Sequence, residues 1–144
     1  MAAKKKTAKK TTAKKTPAKK TTAKKSAAKA PKIVIGWWEI QSQQPDKLMA
    51  FYSAAFDWKI DANNPMHYGM VASGGRGGIE GGIGGSQMPG SRVLVYAGVS
   101  KINPVLAKIE KLGGKTVMPR TDVGPVIIAI YTDPEGNIMG LMEV

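Results

Sequence analysis

The most pronounced pattern of apolar and polar positions lies in residues 35–58, IGWWEIQSQQPDKLMAFYSAAFDW. Its first part is apolar at nearly every position, as in a strand buried on both faces. Its second part has apolar residues at helical spacing, at Leu48, Phe51, Tyr52, Ala55 and Phe56. Pro45 suits the first helical position and Asp46 the first turn. The pattern predicts a strand, a turn and a helix that begins near Pro45 and packs this apolar face.

Residues 33–91 predict the first half of a sheet. Strand alternation places Trp37 and Glu39 on the opposite face from Gly36, Trp38 and Ile40. A short strand and then a turn are expected after the helix. Further along, nine of the nineteen residues from 73 to 91 are glycine. Glycine weakens strands and favours loops, so mobile loops are expected on both sides of the fourth strand. The expected strands after the helix are at residues 58–61, 66–72 and 78–83.

The second half of the chain repeats this order. Residues 92–99, RVLVYAGV, predict a strand, and Asn103 then suits the N-cap of a helix that Pro104 opens and Gly113 ends. Pro104 lies 59 residues after Pro45 in an equivalent context, which indicates an internal repeat. The apolar positions expected to pack on this helix are Val105, Leu106, Ile109 and Leu112. Further strands are expected at residues 116–118, 126–132 and 138–144, with a turn at 133–137.

The charge of the chain is concentrated at its N-terminus. Residues 1–32 contain thirteen of the 22 basic residues and no acidic residue, whereas residues 33–144 contain nine basic and ten acidic residues. The first segment also repeats five residues, as KKTTA, KKTPA, KKTTA and KKSAA. It has no apolar face to bury and its like charges repel. Residues 1–32 are therefore predicted to be a disordered tail, and residues 33–144 the folded domain.

The lysine-rich tail is expected to bind nucleic acid. Lysines that neutralise phosphates release counterions and bind without reading sequence. The tail also resembles, in composition, the tails of linker histones and bacterial histone-like proteins, which implies non-specific contact with DNA or RNA. Alternatives that the same charges favour are a solubilising extension and an anchor to anionic lipid. The predicted nucleic-acid contacts are Lys9, Lys10, Lys14, Lys15, Lys19, Lys20, Lys24 and Lys25.

Several classes of protein are not expected. The sequence has no cysteine, which excludes disulfides and thiolate sites. It has neither an apolar run of about 18 residues nor an apolar signal region, so neither a membrane span nor a secretory signal is predicted. A nucleotide-binding P-loop is not expected either. Gly114-Lys115-Thr116 is similar to the end of such a loop, but Ile109 stands where the first glycine is needed, and the helix comes before the strand instead of after it. The expected location is the cytoplasm, in association with the nucleoid.

Residues 33–144 resemble the vicinal-oxygen-chelate superfamily, which includes glyoxalases, bleomycin-resistance proteins and extradiol dioxygenases. The resemblance rests on a strand and helix that end in FYSAAFDW, a second helix that ends at Gly113-Gly114, and DPEGN at residues 133–137 before a last strand. Asp57 stands where the family often has glycine. The resemblance implies an α+β fold of two βαβββ units that form a cupped sheet with the site on its concave face. It also implies a homodimer.

The resemblance places the family's four metal ligands on Trp37, Gly82, Gly140 and either Leu94 or Tyr96. None of these side chains is an ordinary ligand of zinc, iron or manganese. His67 is the one histidine of the sequence and is expected on a strand, so a two-histidine site cannot form within the chain. We therefore expect neither a metal ion nor another cofactor.

An indole and two glycines at these positions predict an apolar, flat-walled cavity that binds a planar or aromatic small molecule. Glu39 lies on the face of Trp37, and Glu80 lies two residues before Gly82, so both are candidate catalytic acids or bases. The alternative is that Trp37, Met70, Tyr96 and Met142 simply fill the concave face as core residues. The predicted ligand-binding residues are Trp37, Gly82, Tyr96, Gly140 and Met142.

These observations together predict a metal-independent small-molecule-binding domain of the glyoxalase and bleomycin-resistance type that a basic tail holds near nucleic acid. Two other functions stay open. One is a lyase or isomerase that uses Glu39 or Glu80 as its general base. The other is a nucleoid-associated structural protein whose domain only dimerises, so that two tails bridge DNA.

Overall fold

The computed structural model describes residues 1–2 and 33–144. The remainder of the predicted tail, with its eight lysine contacts, lies outside the described residues. The helices and strands of the described residues lie within the compact unit Pro31–Val144. In chain order they are β1 (Val34–Ser42), α1 (Pro45–Phe56), β2 (Ile60–Asp61), β3 (Gly69–Val71), β4 (Gly81–Gly85), β5 (Arg92–Val99), α2 (Ile102–Lys111), β6 (Lys115–Asp122), β7 (Ile127–Thr132) and β8 (Ile138–Glu143).

The eight strands form one sheet in the order β2-β3-β4-β1-β5-β8-β7-β6. Each half of the chain is a βαβββ unit whose first strand runs parallel to its last, β1 beside β4 and β5 beside β8. The two units meet at the antiparallel pair of β1 and β5. The sheet is cupped and its edges do not close. The predicted α+β fold of two βαβββ units is therefore confirmed.

Each helix covers the outer face of the sheet in its own unit. Under α2, a core of small and branched side chains contains Ala97, Val99, Ile102, Leu106, Ala129 and Leu141. Under α1, the corresponding core contains Ile40, Met49, Val71 and Ile83. Because successive strand residues point to opposite faces, the neighbours of these core residues face the concave side. The helices thus leave the concave face of the sheet free for a site.

The predicted packing face of α1 is partly wrong. Leu48 and Tyr52 pack against the core, but the buried residue of this helix is Met49. Phe51 and Phe56 are 58% and 57% exposed. Their rings pack on neighbouring aromatic rings at the surface instead. The ring centroids of Phe56 and Trp58 are 5.2 Å apart, and those of Phe51 and Tyr52 are 5.1 Å apart. The helix begins at Pro45, as predicted.

The start of α2 also differs from the prediction. The helix begins at Ile102, with Lys101 at the N-cap, so Asn103 is inside the helix and does not cap it. Glu143 on β8 takes the place of a cap, because its Oε1 accepts a hydrogen bond of 3.2 Å from the Ile102 N–H. Leu112, which was expected to pack, is 68% exposed.

Most strand bounds of the second unit agree with the prediction within one residue, but β6 spans Lys115–Asp122 where only residues 116–118 were predicted. The bounds in the first unit agree less well. The Arg92–Val99 strand agrees with the prediction at both ends. The predicted strand at 66–72 is shorter because residues 64–67 form a turn, in which the His67 N–H donates to the Asn64 carbonyl over 3.0 Å and His67 has φ 49°. Gly36 was also expected on the face of Trp38. The pairing of β1 with β5 shifts register between Ile35 and Trp37, so Gly36 faces the concave side instead. A Cβ built at Gly36 would lie 3.8 Å from Met142 Sδ.

Candidate functional site

The concave face of the sheet contains a cavity of about 280 Å³. It is lined from both units by Trp37, Glu39, Met66, Tyr68, Met70, Tyr96, Val123, Pro125, Val126, Ile128 and Met142. Trp37 and Tyr96 are direct cross-strand neighbours on β1 and β5, so the cavity lies over the joint between the units. Its walls are aromatic, thioether and aliphatic, and Glu39 is the one charged residue among the described residues that line it.

Glu39 is held at the cavity wall by neutral hydrogen-bond donors. The Tyr96 hydroxyl donates to Glu39 Oε2 over 2.6 Å, and Gln41 Nε2 donates to the same oxygen over 3.1 Å. The Tyr68 hydroxyl lies near enough to Glu39 for the negative charge of the carboxylate to raise its pKa. Trp37 Nε1 donates to the Tyr68 hydroxyl over 3.2 Å. The polar network of the cavity therefore consists of two hydrogen-bonded groups, Glu39 with Tyr96 and Gln41, and Trp37 with Tyr68.

The two phenols of this network resist ionisation. Burial, followed by repulsion from the Glu39 carboxylate, raises the pKa of Tyr68 and of Tyr96 above the ordinary value of 10.0. The hydrogen bond from Trp37 acts in the opposite direction on the pKa of Tyr68, but it is a smaller effect than burial. Both hydroxyls are therefore protonated at neutral pH and remain donors.

The predicted glycines Gly82 and Gly140 do not line the cavity. A Cβ built at Gly82 would collide with the ring of Tyr68, and one built at Gly140 would collide with the ring of Tyr96. The space above the two glycines, which the sequence interpretation left open, is therefore filled by tyrosine rings. The cavity lies beside these rings, and Trp37, Tyr96 and Met142 of the predicted ligand-binding set border it.

Tyr68 is the site residue that the sequence interpretation missed. It follows the turn at His67 and places its ring over Gly82 and Gly84. These two glycines alternate on β4, which leaves one face of that strand without side chains. Such a bare face indicates that a large ring lies on it, although the sequence does not say which ring.

The other candidate residues lie elsewhere. Glu80 is exposed, precedes β4 and is not among the residues that line the cavity. Of the two alternatives for one ligand position, Leu94 is only 1% exposed within the core and Tyr96 borders the cavity. His67 lies on the surface, with its Nε2 2.6 Å from Asp46 Oδ1.

The site does not fit the metal ion that the resemblance implies. The positions carried over from the family contain an indole, two glycines and a phenol, without an imidazole, carboxylate or thiolate. Within residues 1–2 and 33–144, no three His, Asp or Glu side chains are grouped in a way that could hold a metal ion.

A second recess lies on the surface near the end of α1. It has a volume of about 430 Å³ and is wide open to solvent. Its wall is formed by Ser53, Asp57, Trp58, Lys59, Ile60 and Asp61. The smaller cavity is the better candidate site, because it is more enclosed and contains the network of partly buried polar groups.

No family model matches this sequence, and no curated protein matches it. Solved structures do match the fold. An NAD-dependent benzaldehyde dehydrogenase from Legionella pneumophila is 12% identical, with a TM-score of 0.57, 75% of this chain covered and 97% of that chain covered. A glyoxalase/bleomycin resistance protein/dioxygenase superfamily member from Vibrio splendidus is 12% identical, with a TM-score of 0.52 and coverages of 78% and 98%.

A methylmalonyl-CoA epimerase from Streptomyces coelicolor is 14% identical, with a TM-score of 0.51, 76% of this chain covered and 95% of that chain covered. At these identities the similarity shows the fold alone. The chain thus has the glyoxalase-like fold that its sequence predicted, and the different activities named for these proteins show that the fold does not set the reaction. Among the described residues, neither helix is long and apolar enough to cross a bilayer.

Proposed function

We propose that residues 33–144 form a small-molecule-binding domain that takes an aromatic, largely apolar ligand into the concave cavity without a metal ion. The observation that supports this most is the cavity itself, which has apolar and aromatic walls around a few convergent polar groups. Its volume of about 280 Å³ lies just below the usual range for ligand sites, roughly 300–1,000 Å³. The expected ligand is therefore small, with about one or two rings.

Access to the cavity is consistent with this role. Met66, Met70 and Val123 line it and are 57%, 45% and 36% exposed. They come from both units, so the cavity opens to solvent between them. Methionine side chains adapt their shape to different apolar surfaces, which suits a mouth through which a ligand enters.

The test is calorimetric titration of the full chain with the neutral probe 1-naphthalenemethanol. Replacing Trp37 by leucine removes an aromatic wall, and aromatic contacts contribute about 0.5–1.5 kcal/mol, so Trp37→Leu should weaken binding roughly two- to tenfold. Phe51→Leu is the matched control, because Phe51 is exposed on α1 and does not line the cavity. The EDTA-treated protein should bind equally well. Binding that requires an added divalent metal, or that both variants weaken equally, would contradict the proposal.

The basic tail is the second part of the proposal. We infer from its thirteen lysines and absence of acids that residues 1–32 tether the domain to DNA or RNA without reading sequence. A domain that binds a ligand and is held near nucleic acid would act by sequestration or sensing. If the domain is a dimer and binds no ligand, the same tails would bridge two DNA segments, and the protein would be a nucleoid-associated structural protein.

An enzymatic role is favoured by one specific observation. Glu39 is partly buried, and the Tyr96 hydroxyl lies 2.6 Å from its Oε2. A carboxylate held in position at the wall of an apolar cavity is a suitable general base, as a lyase or isomerase requires. Glu80 lies outside the cavity wall, so Glu39 is the base of this second candidate function. Loss of turnover in Glu39→Gln with ligand affinity retained would distinguish it from simple binding.

A further inference from the structure

We propose that the cavity selects a ligand with a positively charged nitrogen, an alkyl or aryl-alkyl ammonium, which pairs with Glu39. This inference rests on the proposed binding function and adds the charge of the ligand. Its basis is the combination of a single carboxylate with aromatic and thioether side chains in the lining of the same cavity.

The first step of the argument is the charge around Glu39. The described residues contain two ion pairs, His67 with Asp46 and Arg120 with Glu143, and neither involves Glu39. A carboxylate that is withdrawn from water is costly unless a charge or enough hydrogen bonds compensate it. Within the described part of the chain, Glu39 has hydrogen bonds from neutral groups but no cationic partner. Its negative charge is therefore available to a ligand.

The second step is the remaining hydrogen-bonding capacity. A carboxylate has about four acceptor sites on its two oxygens. Tyr96 and Gln41 both donate to Oε2. Among the described residues no side chain or backbone N–H donates to Oε1, so this oxygen can accept an N–H donor of an ammonium group. The tyrosine hydroxyls cannot supply a compensating positive charge, and their raised pKa keeps them protonated.

The third step is the character of the walls. Trp37, Tyr68 and Tyr96 line the same cavity as Glu39, and the Tyr96 hydroxyl donates to its carboxylate. Aromatic faces attract cations, and they do so most strongly where the cation is removed from water. Three aromatic residues and one carboxylate around an apolar space therefore favour an organic ammonium over a neutral molecule of the same shape. They disfavour an anion, which Glu39 would repel.

The test compares three probes of one shape on the full chain at about 0.15 M salt: 1-naphthylmethylamine as the cation, 1-naphthalenemethanol as the neutral analogue and 1-naphthoate as the anion. We expect the amine to bind at least about tenfold more tightly than the alcohol, and the anion most weakly. Because the chain has a formal net charge of +12, general electrostatic attraction favours the anion, so it cannot produce this order.

Glu39→Gln keeps an acceptor for Tyr96 but removes the charge, so it should bind the alcohol and lose most of its preference for the amine. Glu135→Gln, in the exposed turn before β8, removes one carboxylate elsewhere and should keep the preference. Equal binding of amine and alcohol by the unaltered chain, or tightest binding of the anion, overturns the inference and leaves the binding function standing. Binding of none of the three overturns both. The order on the unaltered chain decides the question even if Glu39→Gln does not fold.

Discussion

Two glycines determine where the tyrosine rings of the site lie. Gly82 and Gly140 occur on β4 and β8, the parallel partners of the two first strands of the units. Each leaves room for a ring, Tyr68 over Gly82 and Tyr96 over Gly140. The Tyr96 ring carries the hydroxyl that donates to Glu39, and the Tyr68 ring carries the hydroxyl that accepts a hydrogen bond from Trp37. The glycines therefore act on the cavity indirectly, through the side chains that cover them.

Substitution of Gly140 by alanine should destabilise the fold. The new Cβ would collide with the Tyr96 ring, which is buried at 4% exposure and cannot easily move away. Overpacking of this kind costs about 1–3 kcal/mol. Gly85→Ala is the control, since a Cβ at Gly85 has no other atom within 4 Å. Urea unfolding followed by far-UV circular dichroism measures both, and equal stability of the two variants would contradict the assigned position of the Tyr96 ring.

At the scale of the elements, Glu143 connects three segments of the second unit. From β8 it accepts hydrogen bonds from Arg120 on β6, over 2.9 Å at each oxygen, and from the first N–H of α2. The hydrogen bonds from Arg120, followed by that from Ile102, lower the pKa of Glu143 to about 2. A helix that lacks a capping side chain at its own N-cap is thus completed by a carboxylate 41 residues further along the chain.

This carboxylate predicts a specific dependence of stability on pH. The pKa of Glu143 is about 2 in the folded protein and 4.5 as the ordinary value, so the folded state binds the proton less readily. Its contribution is complete above about pH 5 and is lost as the pH falls towards 2. The free energy of unfolding should therefore decrease more between pH 6 and pH 3 in the natural chain than in Glu143→Gln. Glu135→Gln should behave like the natural chain, and equal slopes for all three would contradict the role of Glu143.

The fold was predictable because its signals are local. Alternation, helical spacing and the Pro45 and Pro104 repeat identify the elements, and the FYSAAFDW and DPEGN motifs identify their order. The site was predictable in part, since alternation already put Trp37 and Glu39 on one face. What the sequence could not show depends on contacts between distant residues. Examples are the capping of α2 by Glu143 and the register shift at Gly36.

At the scale of the whole molecule, we propose a near-neutral ligand-binding domain joined to a strongly basic tail. Binding of the tail to DNA can be tested separately from ligand binding. Full-length chain should bind duplex DNA with an affinity that falls steeply with salt, by a slope of about 0.9 in log K per phosphate neutralised. Replacing the eight repeat lysines by glutamine should flatten that slope and leave binding of 1-naphthalenemethanol unchanged. If the substituted chain keeps the same slope, the tail is not the tether. Light scattering of the same samples measures whether the domain is a dimer.

The most direct test of the central claim uses the indole N–H resonances of the three tryptophans. Trp37 lines the cavity, whereas Trp38 Nε1 donates to the Ile79 carbonyl over 2.8 Å, and Trp58 stacks on Tyr52 on the helix side. In ¹⁵N-labelled full-length protein, 1-naphthalenemethanol should shift the Trp37 indole signal, assigned with Trp37→Phe, and leave the other two in place. Signals of Trp38 or Trp58 that shift while Trp37 stays unchanged, or three signals that do not respond, would contradict a ligand site in the concave cavity.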